Sequence, residues 1–483
     1  MARSRADLEG MDTDAAHPST SKAWNSTKLA ADLGRHWKGQ ADVVSDALLF
    51  LMLVVQWTTN NQSISATLAA IWLLWSLATN ARRDASGGGW SAPWPLMLIL
   101  VLNLRGLVYQ EGPQPVSHMD YIIIIAAFVA GMGRLPRRWI RSIAAILAAG
   151  VLGFALNLNP FLRSVTAIFN GTANVAGWNR QVWAGQYFRA GEMSVNQTAF
   201  LTGITFTLCL CACLQSRGLL RRLAGLAGMV MAAMAFATGS RLALLLAPMA
   251  AAASMVIAAA LNRRIRSNAP EPRSVSVGSR LSWIRTRAAA LLLTVSAVAA
   301  GLVLFQPGRT WLLDNYVGRK LAGDQDRLDV LACYVSLAFS DGSRLLLGAG
   351  YGEAWRRFCD QDVGITVSHA HNFVAQLMGE TGLPATLGVL LALAAPLFPL
   401  IKQFQSPRGH CSASSAGSER QTVMTLFLAA YLYIISFALF ELAFLKVTVL
   451  ECLIGYLLSM SLCGNSEQAS AQKLQPITSF QAL

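Results

Sequence analysis

Long apolar runs without charge leave this chain few ways to fold. The segments ALLLAPMAAAASMVIAAAL (243–261) and AAALLLTVSAVAAGLVLF (288–305) contain no charged residue. As helices they are long enough to cross a hydrocarbon core of roughly 30 Å. Similar runs recur along the chain, and of its 483 residues 54% are hydrophobic and only 13% charged. A soluble protein of this length would need a more polar surface. The alternating patterns of a membrane β-barrel are absent. The expected class is an all-α polytopic membrane protein.

Twelve candidate spans can be placed: 44–58, 63–80, 94–111, 119–133, 139–157, 198–215, 219–237, 241–261, 288–306, 383–401, 423–440 and 446–462. An even number puts both termini on one side. The loops then sort by charge. The N-terminal tail, NARRDAS, RLPRRWIR, QSRGLLRR, the basic stretch around 262–287, IKQFQSPRGH and the C-terminus share one side. Together they carry about two-thirds of the 39 Lys and Arg residues. The short opposite loops TTNNQ and EGPQPVSH carry none. By the positive-inside rule both termini are cytoplasmic. The net charge of +14 is thus explained by topology. It does not mark a nucleic-acid binder, because the basic residues form no single face.

This topology sets the expected organisation. A polar cytoplasmic tail covers 1–43. Spans one to nine cover 44–306, with an outer loop at 158–197 and a basic cytoplasmic loop at 262–287. A large outer loop covers 307–372, with enough apolar residues for an ordered cap of short helices. Spans ten to twelve lie within 373–462, and a cytoplasmic tail covers 463–483. Cys209, Cys211 and Cys213 sit at alternate positions in one apolar helix, which suits small buried side chains better than a metal site. Cys333 and Cys359 fall in the large outer loop, where an oxidising compartment would let them form a disulfide.

Several polar residues stand against this background. Arg241, in ATGSRLALLL, is the base in a very short outer loop. A lone arginine at a helix end often snorkels, but an anionic partner would explain its place on the outer side. Arg327 is flanked by Asp324, Asp326 and Asp329, so a local salt bridge is the plain reading. LLLGAGYG could present backbone amides to a phosphate, a weak signal with no strand before it. Arg105 and Glu451 are ionisable groups within spans and could pair.

The densest cluster is SHAHNFVAQLMGETG (368–382). On one helix, His369, Asn372, Gln376 and Glu380 would form a single polar stripe. His371 would point away from it, so the helix is expected to begin near Asn372 with the histidines on its lip. A neutral imidazole can take a proton near pH 7. A wet helix end is the plain alternative. An H-x-H pair can also bind a metal, but no third ligand at a familiar spacing is near, so no metal and no cofactor is expected.

The order of these motifs carries a resemblance. TGSR opens a helix; DRLDVLACYVSLAFSDGSRLLLGAGYG comes next in the long outer loop; HAHNFVAQLMGETGLPATLG closes it. Over roughly 190–400 this is similar to the O-antigen ligase and polysaccharide polymerase superfamily of bacterial inner membranes. The resemblance implies a GT-C-like fold with its large periplasmic loop between spans nine and ten. It implies a membrane glycosyltransferase whose donor is a glycan on undecaprenyl diphosphate. The acceptor would be a lipid A-core sugar or another lipid-linked glycan. The family's essential arginines look like Arg241 and Arg327, and its essential histidine like His371. YFRAGEMSVNQTAF resembles the stretch before the sixth span and makes Arg189 a phosphate or sugar contact. His369, Asn372, Gln376 and Glu380 would line or support the substrate site. The competing expectations are a lipid-linked oligosaccharide flippase or transporter, and a non-catalytic subunit of a polysaccharide secretion complex.

Overall fold

The computed structural model describes residues 40–59, 61–84, 118–132, 134–170, 187–191, 193–216, 218–267, 318–350, 354–359, 369–398, 415–441 and 447–462. The chain divides into two compact units, Met1–Val44 and Ser45–Leu483. The first contributes only the opening turn of one helix to the described residues, and the second holds all the rest.

Among the described residues every regular element is helical and no strand is present. In chain order the helices are α1 (Gln40–Thr58), α2 (Gln62–Asp84), α3 (His118–Gly131), α4 (Pro136–Leu156), α5 (Leu158–Phe169), α6 (Val195–Gln215), α7 (Gly218–Ala237), α8 (Arg241–Ser267), α9 (Gly318–Ala338), α10 (Gly342–Leu347), α11 (Phe373–Ala394), α12 (Ser415–Ala438) and α13 (Thr448–Leu458). A single π-helical turn spans Ala354–Cys359. Eight helices in this set, α1, α2, α4, α6, α7, α8, α11 and α12, are long and apolar enough to cross a membrane. The shorter apolar helices Asp120–Gly131 and Thr448–Leu462 match the expected spans 119–133 and 446–462. The expected spans 94–111 and 288–306 lie outside the described residues.

Helix α6 is the axis of the bundle. It packs on α7, α8 and α12. Its start is fixed by a capping box: Ser194 accepts from the Gln197 amide, and Gln197 returns the bond to the Ser194 amide. That satisfies two amides the first turn would otherwise leave open. Thr202, Thr205 and Thr207 are buried, and each hydroxyl donates to the carbonyl four residues back. Polar side chains thereby sit inside an apolar bundle with no unmet donor.

A charged knot lies at the end of the bundle where α4 begins. The Arg134 guanidinium donates to Asp46 Oδ1 at 3.0 Å, Ser142 Oγ at 3.0 Å and Ser45 Oγ at 2.7 Å. The Ser142 hydroxyl donates to Asp46 at 2.6 Å, and the Tyr456 hydroxyl donates to Ser142 at 2.8 Å. The guanidinium also lies over the Tyr456 ring, 5.0 Å from its centre. Further along this end, Arg137 meets Glu419 of α12 at 3.1 Å.

Two regions differ from the sequence expectation. The outer segment 158–197 begins with a helix, α5, that buries Phe161, Ser164, Ala167 and Ile168 and exposes Leu158, Leu162 and Phe169. Its apolar and polar residues segregate to different faces, as on an interfacial helix. The tenth span was expected from 383. Helix α11 instead starts at Phe373, ten residues earlier, and is broken at Gly382, whose φ is 81° and ψ 171°. The Gly-Leu-Pro sequence explains the break. Pro384 has no N–H for the Glu380 carbonyl, and Gly382 supplies the left-handed backbone that opens the turn.

The freed carbonyls are met from outside the helix. The Ala349 amide donates to Gly379 O at 2.8 Å, and the Gly350 amide to Glu380 O at 2.9 Å. Irregular backbone at such a depth is tolerated where protein covers it. The close approach requires glycine: a Cβ on Gly348 would lie 2.3 Å from the Glu380 carbonyl carbon. The Ala349 and Gly350 amides of LLLGAGYG are therefore committed to α11, which leaves neither for a phosphate.

Around the first half of α11 stands a second, smaller apolar core of Val330, Tyr334, Leu337, Ala354, Cys359, Ala370 and Ala375. Cys333 of α9 and Cys359 of the π turn are joined by a disulfide. The Arg344 guanidinium lies 4.3 Å from the centre of the Phe358 ring. Within 307–372 the described residues form α9, α10 and the π turn, and α9, at 21 residues, is longer than the short helices expected.

Candidate functional site

The site assembles at the end of the bundle where α6, α8 and α11 begin and α12 finishes. Two short turns reverse the chain between α6 and α8, so both helices start at this end. The segment Tyr187–Ala190 lies across the α7–α8 turn, with the Phe188 amide donating to Ala237 O at 2.8 Å. This brings the backbone of Arg189 beside the turn that leads into Arg241, first residue of α8. Ser240 caps that helix, accepting from the Ala243 amide at 3.3 Å. The side chain of Arg189 is exposed.

Asn372 is the N-cap of α11 and accepts from the Ala375 amide at 2.9 Å. The helix therefore starts where the polar stripe required, and the histidines stand on its lip. The Asn372 amide group also donates to Leu439 O at 2.7 Å, tying α11 to the end of α12. His371 has a φ of 51°, the sole non-glycine residue with a left-handed backbone among those described. Such a conformation is unfavourable for a side chain with a Cβ, and it persists where the surroundings impose it.

The His371 ring meets Glu441, three residues past the end of α12 and almost fully buried. His371 Nδ1 lies 3.2 Å from Glu441 Oε2, and His369 Nε2 lies 3.4 Å from Oε1. The Asn196 side-chain amide, from the first turn of α6, donates to Oε2 at 2.7 Å. The two imidazoles pack against each other with centres 4.2 Å apart. One carboxylate thus gathers donors from α6 and from the lip of α11.

The charges reflect this arrangement. Burial by itself would raise the Glu441 carboxyl. Hydrogen bonds from His369 and His371, with their charges, outweigh it and hold the group below the usual carboxylate range. For His371, burial is the largest effect and lowers the imidazole from its ordinary value. His369 and the cation of Arg327 push the same way; Glu441 opposes them. An ionised carboxylate can only accept, so the ring nitrogens facing it carry hydrogen. His371 is then a neutral imidazole with Nδ1–H on Glu441 and an unshared pair on Nε2.

The stripe residues divide. Gln376 and Glu380 are buried in the joint between α11 and α9. Gln376 accepts from the Ala370 amide at 2.7 Å and donates to Glu380 and, at 3.5 Å, to the Tyr334 hydroxyl. They hold the histidine-bearing turn in place. Arg327 is half-buried on α9, near enough for its charge to act on His371. The suggested partner of Glu451, Arg105, lies outside the described residues; Glu451 itself is buried in α13.

Sequence reasoning missed Glu441 and Asn196. The signal for Glu441 was a single acid in the apolar stretch SFALFELAFLK. The geometry also supplies the third metal-capable group that sequence spacing did not offer: the ligand atoms of His369, His371 and Glu441 all lie within 4.8 Å of one another. Comparison with known protein families and with curated proteins finds no match for this chain.

Proposed function

We propose that this chain is a membrane glycosyltransferase that uses a glycan on undecaprenyl diphosphate as donor. The observation that carries the reading is the His371–Glu441 pair set beside Arg327 at one end of a membrane bundle. A general base needs a fixed tautomer and an open nitrogen. Glu441 fixes the first and leaves the second at Nε2.

In this reading His371 Nε2 takes the proton from an acceptor hydroxyl as its oxygen attacks the anomeric carbon. The bond to the diphosphate oxygen breaks, and the configuration inverts. Arg241 and Arg327, with Arg189 at the edge, neutralise the charge that builds on the leaving diphosphate. Guanidinium suits that task because its planar fork matches phosphate oxygens. In the same reading the site lies on the periplasmic side of a bacterial inner membrane, with twelve spans and cytoplasmic termini. The polyprenyl tail stays in lipid while the sugars meet water. The Cys333–Cys359 disulfide supports an oxidising side for the cap. The acceptor is a lipid A-core sugar or a second lipid-linked glycan.

The test is direct. Purified protein in detergent, given lipid-linked donor and acceptor, releases undecaprenyl diphosphate, and His371→Ala stops the release while the protein remains folded. Release that persists in that variant rejects the mechanism. Lipid moved across vesicles without cleavage identifies a flippase instead.

A further inference from the structure

We propose that His369, His371 and Glu441 form a binding site for a divalent transition-metal ion, and that the bound ion inhibits the protein by capturing His371. The first half stands on the geometry alone. The second rests on the transferase reading above.

Three features point to the ion. The donor set is two imidazoles and a carboxylate, which suits Zn2+ and its neighbours. A tetrahedral Zn2+ with bonds of about 2.0–2.1 Å holds its ligand atoms roughly 3.3 Å apart. Glu441 Oε2 stands 3.2 Å from His371 Nδ1, and Oε1 stands 3.4 Å from His369 Nε2. With one ligand atom taken from each residue, the three lie within 4.8 Å of one another, and side-chain rotation must draw them together on the ion.

The surroundings resemble a prepared site. Asn196 Nδ2 donates to Glu441 Oε2, and outer partners of this kind orient metal ligands. The left-handed backbone of His371 turns its ring towards Glu441 and away from the helix that begins after it. The side chains of His369 and His371 are 26% and 10% exposed, so an ion can enter and the fourth position stays open. The cation of Arg327 works against binding and favours a site that fills reversibly.

The chemistry of inhibition is simple. Zn2+ on Nδ1 replaces the hydrogen that Glu441 held there, and neutral imidazole then carries its hydrogen on Nε2. That nitrogen becomes a donor. It can no longer accept the proton of an acceptor hydroxyl.

The experiment uses the full chain in detergent, first stripped with a chelator, and Zn2+ alone as the probe. Titration calorimetry is expected to show one saturable Zn2+ per chain. Co2+ in its place is expected to give the visible bands of a low-symmetry nitrogen–oxygen site. Glu441→Gln and His369→Ala each weaken binding by more than about 10-fold, and Asn196→Ala, which leaves every ligand in place, weakens it by about 10-fold. Where transfer is measurable, Zn2+ slows it and chelation restores it. Absence of saturable binding, or equal binding by the wild type and Glu441→Gln, overturns the site. Binding that leaves transfer unchanged overturns the inhibition alone. Binding without any transferase activity retains the site and rejects the enzyme reading.

Discussion

The molecule buries two clusters of opposite charge, and they are built on different plans. At one end Arg134 meets Asp46, with hydroxyls of Ser45 and Ser142 against the pair, Tyr456 donating to Ser142, and Arg141 3.7 Å from the second Asp46 oxygen. At the other Glu441 meets His369, His371 and Asn196. Helix α12 runs between the two ends, from Glu419 beside Arg137 to Ala438 just short of Glu441, about 30 Å at 1.5 Å per residue. In the first cluster a permanent cation closes on a carboxylate and hydroxyls seal it. In the second the carboxylate is held by two imidazoles and a side-chain amide, and each imidazole keeps a second nitrogen for other use. The first plan makes a lock. The second makes a site.

Four measurements press on that contrast. The largest effect belongs to Glu441→Gln. Loss of the fixed tautomer should lower transfer by about 10²- to 10⁴-fold with the fold intact by circular dichroism. Unchanged turnover would place the chemistry elsewhere. Arg134→Ala should do the reverse. It removes the nearer of the two cations beside Asp46, leaving Arg141 at 3.7 Å, and costs about 3–5 kcal/mol of stability, while the protein that remains folded transfers at the normal rate. A specific loss of turnover there would erase the distinction between lock and site.

Smaller effects sharpen it. Replacing Cys333 and Cys359 together by serine should cost about 2–4 kcal/mol, confined to the cap. Hydrogen exchange would then quicken in α9 and the π turn and stay slow in α6. Uniform quickening would show that cap and bundle unfold as one. The smallest effect is the response to acid, measured with a chelator present. His371 is held below its ordinary value near 6.5, so as pH falls below that point the unfolded chain takes a proton the native site refuses, and stability declines. Glu441, also held low, contributes stability above about 4.5 that is lost as the carboxylate protonates. Glu441→Gln should remove the part of this limb below about 4.5 and deepen the part below 6.5, because the carboxylate no longer raises His371, whereas Arg134→Ala should leave both in place.

How much of this could be read in advance depends on where each signal lies. Spans such as 139–157 and 198–215 are legible because a bilayer imposes a length and a composition on consecutive residues. The start of α11 was legible because an N-cap is a local feature: Asn372 needs only the amide three residues on. The break within α11 was half legible. Gly382 and Pro384 mark it, but the helix from Asn372 and the span from 383 read as separate elements, because the buried residues of the first, Gln376 and Glu380, are polar. Glu441 was not legible. It is 70 residues from His371, and its place is set by packing that no spacing encodes. Asp46 and Arg134, 88 residues apart, escaped for the same reason.

The broken helix also constrains how the protein is made. The carbonyls of Gly379 and Glu380 find their donors in Ala349 and Gly350, which leave the ribosome earlier. Until that loop is in position, the segment at Gly382 cannot enter hydrocarbon without carrying bare carbonyls into it. Insertion of α11 is therefore conditional on the cap. A translocon delivering this segment by hydropathy alone would deliver it unfinished, and the nascent chain completes the helix only when Ala349 and Gly350 close over the gap.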